Sequence, residues 1–112
     1  MSTLLKWFVV VAALGVSALA AAAGDPKIGA VKATSCYACH GSDGVSINDL
    51  WPNLAGQKPG YLVKQIQAFR DGTRTDPIMP IYVKELSDED IAHIAAYFAS
   101  LSGVEKPLAT LH

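Results

Sequence analysis

Apolar residues recur at helical spacing in three stretches of this chain, and nowhere do they alternate with polar ones over the length of a strand. The clearest stretch carries Ile91, Ile94, Ala95, Phe98 and Leu101 on one face. Ser87 stands before it as an N-cap, Asp88, Glu89 and Asp90 suit the positive end of its dipole, and Gly103 lies past its end. A second helix is predicted from Pro59 or Gly60 to Asp71, with Leu62, Ile66 and Phe69 at helical spacing and Gly72 as the stop. The first starts at Asp25-Pro26, an N-cap followed by a proline suited to the opening turn, and runs through Ile28, Gly29, Val31 and Lys32. The body is therefore expected to be all-α, without internal repeats or linkers.

Upstream the pattern changes. Lys6 precedes an apolar run from Trp7 through Ala20, and small residues close it at Ala21-Ala22-Ala23-Gly24. This is the layout of a secretory signal peptide, which assigns 1–23 as leader, with cleavage after Ala23, and 24–112 as one domain. An uncleaved membrane anchor is the competing reading, but the run is short and alanine-rich beside the roughly 20 apolar residues a span needs. Export places the domain in the periplasm. The formal net charge is −1, one unit more negative without Lys6, and the scattered lysines form no basic patch for nucleic acid. A domain this small has a limited core of its own, so a large apolar cofactor would help it fold.

Cys36-Tyr37-Ala38-Cys39-His40 supplies that cofactor. A C-x-x-C-H run is the attachment site of a c-type haem. In helix-like backbone, Cys36 and Cys39 share a face and present both sulfurs to one porphyrin edge for thioether bonds. His40 is then held beneath the iron as proximal ligand. One covalent haem c is expected, and both cysteines are consumed by it. A redox dithiol would want a strand before the pair, and a zinc site would want a fourth ligand that His93 and His112 are poorly spaced to give. After His40, Gly41-Ser42-Asp43-Gly44 reads as a turn.

An electron carrier also needs its sixth coordination position filled. Apart from the initiator, Met79 is the only methionine, in a segment, Asp76-Pro77-Ile78-Met79-Pro80, too proline-rich for a helix interior. It is the candidate distal iron ligand, on a loop stiffened by prolines. His93 lies about 200° around its helix from Ile91 and is expected to be a solvated surface histidine. Met/His ligation favours Fe(II) and raises the potential relative to bis-His ligation.

Taken in order, Cys36-x-x-Cys39-His40-Gly41, Pro52-Asn53-Leu54-Ala55-Gly56-Gln57, Met79-Pro80, Leu86-Ser87-Asp88-Glu89-Asp90-Ile91-Ala92 and Tyr97 resemble a bacterial class I cytochrome c. The likeness is to small periplasmic single-haem cytochromes and to one half of the c-four dihaem proteins. It implies three main helices packed around one covalently attached haem. It further implies that the Pro52 carbonyl orients His40, that Leu54 packs beside the haem on that side, and that Gly29 and Tyr97 meet where the terminal helices cross. Trp51 and Arg74 become candidates for contact with the propionates. With one C-x-x-C-H, the interdomain transfer of the c-four proteins has no counterpart within this chain.

The expected function is a periplasmic one-electron carrier, not an enzyme, working as a monomer between transient redox partners, a donor complex and a terminal oxidase or reductase. A membrane contact arises only if the leader is retained. The alternative is the electron-transfer haem subunit of a larger periplasmic dehydrogenase. A gas-binding or peroxidase-like protein with an open sixth site is disfavoured by Met79.

Overall fold

The computed structural model describes residues 24–103. The leader assigned to 1–23, and His112, lie outside the described residues.

Helix α1, Pro26–Lys32, begins where the Asp25 side chain accepts the Lys27 N–H, with proline in its first turn. A 3₁₀ turn at Thr34–Cys36 leads into α2, a single turn over Tyr37–His40. Gly41 ends it at φ 82°, a left-handed conformation open to glycine, and a Cβ there would run into the Val45 carbonyl. Helix α3 spans Pro59–Asp71 and stops at Gly72, whose N–H returns to the Ala68 carbonyl. Helix α5 spans Asp88–Ser100 and opens on a capping box, in which Ser87 accepts the Asp90 N–H and Asp90 accepts the Ser87 N–H. These three main helices match the sequence reading, and the described residues contain no strand.

One element departs from it. Met79–Val83 forms a short helix, α4, where the prolines pointed to a loop. Pro80 falls in the first turn, where its missing N–H costs no hydrogen bond, and five residues are too few to show periodicity.

The core lies between α5 and the elements it covers. Ile91, Ile94, Ala95 and Phe98 are buried along one face of α5, with Ala33, Leu62 and Val83 closing over them. Burying a side chain such as Phe98 or Ile94 contributes roughly 1.5–3 kcal/mol each. Helix α1 crosses α5 at Gly29, where a Cβ would overlap the His93 carbonyl and lie 2.8 Å from Tyr97 Cβ. The glycine is therefore what lets the two backbones approach. Helix α3 also packs on α5. Arg70, near its end, bonds to Asp88 at 2.7 Å and to the Leu86 carbonyl at 3.2 Å, tying the end of α3 to the start of α5.

His93 corrects the sequence reading. Its side chain is only 14% exposed, and its Nδ1 accepts the backbone N–H of Asp25 at 2.8 Å. The α1 terminus lies over that part of α5, so a position opposite the core face of one helix is covered by the next.

Candidate functional site

Between the core and the loops lies a cavity of about 390 Å³, within the roughly 300–1,000 Å³ of small-molecule sites. Cys36, Cys39, His40 and Met79 all line it. The four residues singled out by chemistry thus come together from two segments about forty positions apart.

The short turns at 34–40 explain one side. They keep the Cys36 and Cys39 side chains on the cavity wall and bury His40, the one buried polar residue of the described structure. His40 Nδ1 lies 2.8 Å from the Pro52 carbonyl. A carbonyl only accepts, so Nδ1 carries the proton and Nε2 keeps its lone pair free for a metal. The loop that brings Pro52 there is itself pinned. Leu54 N–H and Ala55 N–H both reach the Gly44 carbonyl, at 2.8 and 3.0 Å, and Asn53 Oδ1 accepts the Ser46 N–H at 2.7 Å. Tyr97, half-buried on α5, donates its hydroxyl to the Ser42 carbonyl, holding the segment after His40 against α5.

On the Met79 segment, Asp76 Oδ2 accepts the N–H groups of Ile78 and Met79 at 2.8 and 2.9 Å. These hydrogen bonds hold the Asp76 carboxyl below its ordinary range. Arg74 lies over the Phe69 ring, 4.5 Å from its centroid, and donates to Gln65 at 2.7 Å. Arg74 and Trp51 both line the cavity, where the resemblance implied propionate contacts.

The wall suits a large apolar ring. Leu54, Leu62, Ile66, Phe69, Val83, Leu86, Ile94 and Phe98 supply its surface, while the sulfurs, the imidazole and the thioether stand on it. Burial pushes the Cys36 thiol above its ordinary value, opposite to the depressed thiol of a reactive redox dithiol. Among the described residues no three His, Cys, Asp or Glu side chains gather as a metal cluster. His93 is not in the cavity wall. Sequence reasoning missed Asn53 and Asp76 as supporting groups. For Asp76 a signal was present, since Asp76-Pro77 repeats the Asp25-Pro26 pattern that marked α1.

This arrangement of a C-x-x-C-H turn, a carbonyl-anchored histidine and an apolar cavity defines a haem-binding electron-transfer domain. The family model for cytochrome c matches residues 29–102, and the chain belongs to the cytochrome c family, with Cys36 and Cys39 as the attachment pair for one haem c. It is 52% identical over 87 residues to cytochrome c4 of Pseudomonas aeruginosa, covering 78% of this chain and 43% of that protein. It is 48% identical over 83 residues to cytochrome c-554(548) of Halomonas halodenitrificans, covering 71% of this chain and 94% of that one. The crystal structure of reduced recombinant cytochrome c4 from Pseudomonas stutzeri superposes with a TM-score of 0.70 at 41% identity, covering 73% of this chain and 48% of that one. The chain thus spans about half the length of the c4 relatives and nearly all of c-554(548). Among the described residues no helix is long and apolar enough to cross a membrane.

Proposed function

We propose that this protein is a periplasmic one-electron carrier in which Cys36 and Cys39 hold haem c through thioethers and His40 and Met79 are the axial iron ligands. When bound, the haem supplies the one-electron couple. The chain's part is to keep the ligands still and the ring out of water. One observation carries the reading: His40, fixed by the Pro52 carbonyl with Nε2 free, shares one apolar cavity wall with both cysteines and Met79. Pro52 increases the basicity of His40, and Leu54 and Phe98 give the ring its packing surface. Two pinned ligands mean little rearrangement on electron transfer, which suits a carrier better than an enzyme. The domain is taken as 24–112, delivered by the leader at 1–23, and it works as a monomer with transient partners.

A second reading has support of its own. The chain is 42% identical over 73 residues to a thiosulfate dehydrogenase electron acceptor of Stutzerimonas stutzeri. It is 36% identical over 74 residues to the cytochrome subunit of sulfide dehydrogenase of Chlorobaculum tepidum. On that reading the domain is the electron exit of a periplasmic dehydrogenase.

The test is an optical spectrum of the exported protein, oxidised and reduced, with haem staining of the denatured chain. Low-spin spectra with haem retained are expected, and Cys36→Ala with Cys39→Ala abolishes retention. Met79→Ala is expected to give a high-spin, ligand-accessible iron; unchanged Met-type spectra in that variant sink the ligand assignment. A small monomer from the native source fits the carrier, whereas co-purification with a catalytic subunit fits the second reading.

A further inference from the structure

Asp76 is solvent-exposed, yet one of its oxygens accepts two backbone N–H groups, those of Ile78 and Met79. Pro77, between Asp76 and Ile78, has no N–H, so the carboxylate reaches past it to the first two free amides of the segment. Both amides open α4, where no carbonyl four residues back is available to receive them. Without Asp76 they would turn to water, and the backbone bearing Met79 could take other conformations. Asp76 and Met79 line the same cavity. A thioether is a neutral, weakly donating ligand, so its hold on a metal rests on how well its backbone is fixed.

We propose that Asp76 is a positioning residue for the distal ligand: it clamps the Met79 backbone and so keeps the iron closed to exogenous ligands. The inference rests on the assignment of Met79 as ligand given above. It differs from ordinary helix capping such as that by Asp25, which accepts the Lys27 N–H at 2.8 Å and is not in the cavity wall.

The test titrates the oxidised holoprotein with imidazole and follows the visible spectrum. Asp76→Ala is expected to tighten imidazole binding about tenfold, the scale of losing a hydrogen bond to a charged acceptor, by raising the fraction of chains with Met79 displaced. Asp76→Asn keeps a weaker acceptor and is expected to give about threefold. Asp25→Ala, which removes a cap away from the cavity, leaves the affinity unchanged. On a Met79→Ala background, Asp76→Ala adds nothing further. Unchanged affinity in Asp76→Ala, or an equal gain with and without Met79, overturns the proposal. If Asp76→Ala fails to retain haem, unchanged affinity in Asp76→Asn overturns it instead. Wild type binding imidazole as tightly as Met79→Ala would mean that the ligand assignment itself had failed, a result separate from any effect of Asp76.

Discussion

His40 Nδ1 and the carbonyl oxygen of Pro52, twelve residues later, lie 2.8 Å apart. The contact depends on a loop braced by the side chain next to Pro52, since Asn53 Oδ1 receives Ser46 N–H at 2.7 Å. Asn53→Ala removes that brace while leaving the Pro52 carbonyl in the chain. If His40 ligates the iron as proposed, loosening its bond to Pro52 makes the imidazole a poorer donor and favours Fe(II). The reduction potential is therefore expected to rise by up to about 60 mV, a tenfold change for one electron. Redox titration of the holoprotein checks it; a fall in potential would contradict the proposed direction of the hydrogen bond's influence.

Two glycines on helices should respond oppositely to alanine. At Gly29 the added methyl would meet the His93 carbonyl and the Tyr97 Cβ, and neither backbone can yield without parting α1 from α5. Gly29→Ala is expected to cost about 3 kcal/mol or to prevent accumulation of holoprotein. A Cβ at Gly60 meets nothing within 4 Å. Gly60→Ala is expected to stabilise by about 0.5 kcal/mol through a less flexible unfolded chain. Denaturant unfolding followed by helical circular dichroism measures both.

These sites also mark what the sequence could disclose. The main helices were legible because their signals are local: periodic Ile91, Ile94 and Phe98, an N-cap serine, a glycine stop. The cysteine pair and His40 were legible because their spacing is itself the chemistry. The supporting contacts were not, since they join segments distant in the chain. His93 reaches Asp25 across 68 positions, and Asn53 reaches Ser46 across a loop whose path no periodicity describes. Helix α4 was hidden by its length and its prolines. The Asp76-Pro77 pair just before it was visible, but the same dipeptide also begins ordinary turns.

Acid should weaken the molecule partly through Asp90. The Ser87 N–H and the Lys32 ammonium, 3.2 Å from Oδ1, hold the Asp90 carboxyl below its ordinary value of 3.8. A depressed folded-state value means stability that is present above the unfolded value and lost as pH falls through the folded one. Asp90→Asn is thus expected to cost about 1 kcal/mol at neutral pH. The difference from wild type should shrink once pH drops below 3.8. Because the Lys32 contact is partly exposed, added salt should reduce the difference as well. Unfolding free energies across pH for the two proteins test this, and a gap that widens in acid would refute the sign.

The covered His93 gives a prediction that separates its two nitrogens. Nδ1 receives the Asp25 N–H at 2.8 Å, whereas Nε2 is 3.6 Å from Glu89, whose side chain is 82% exposed. The first contact satisfies a free amide at the start of α1; the second is a solvated pair of little worth. Asparagine can set its Oδ1 about where Nδ1 stands, while alanine leaves the amide without an acceptor. His93→Ala is expected to cost about 1 kcal/mol, the net value of one hydrogen bond, and His93→Asn to restore most of it. Hydrogen exchange at the Asp25 amide should speed up in the alanine variant and stay slow in the asparagine one. Equal losses in both would mean that the imidazole acts through its packing against α1, whereas Glu89→Ala should leave stability and exchange nearly unchanged.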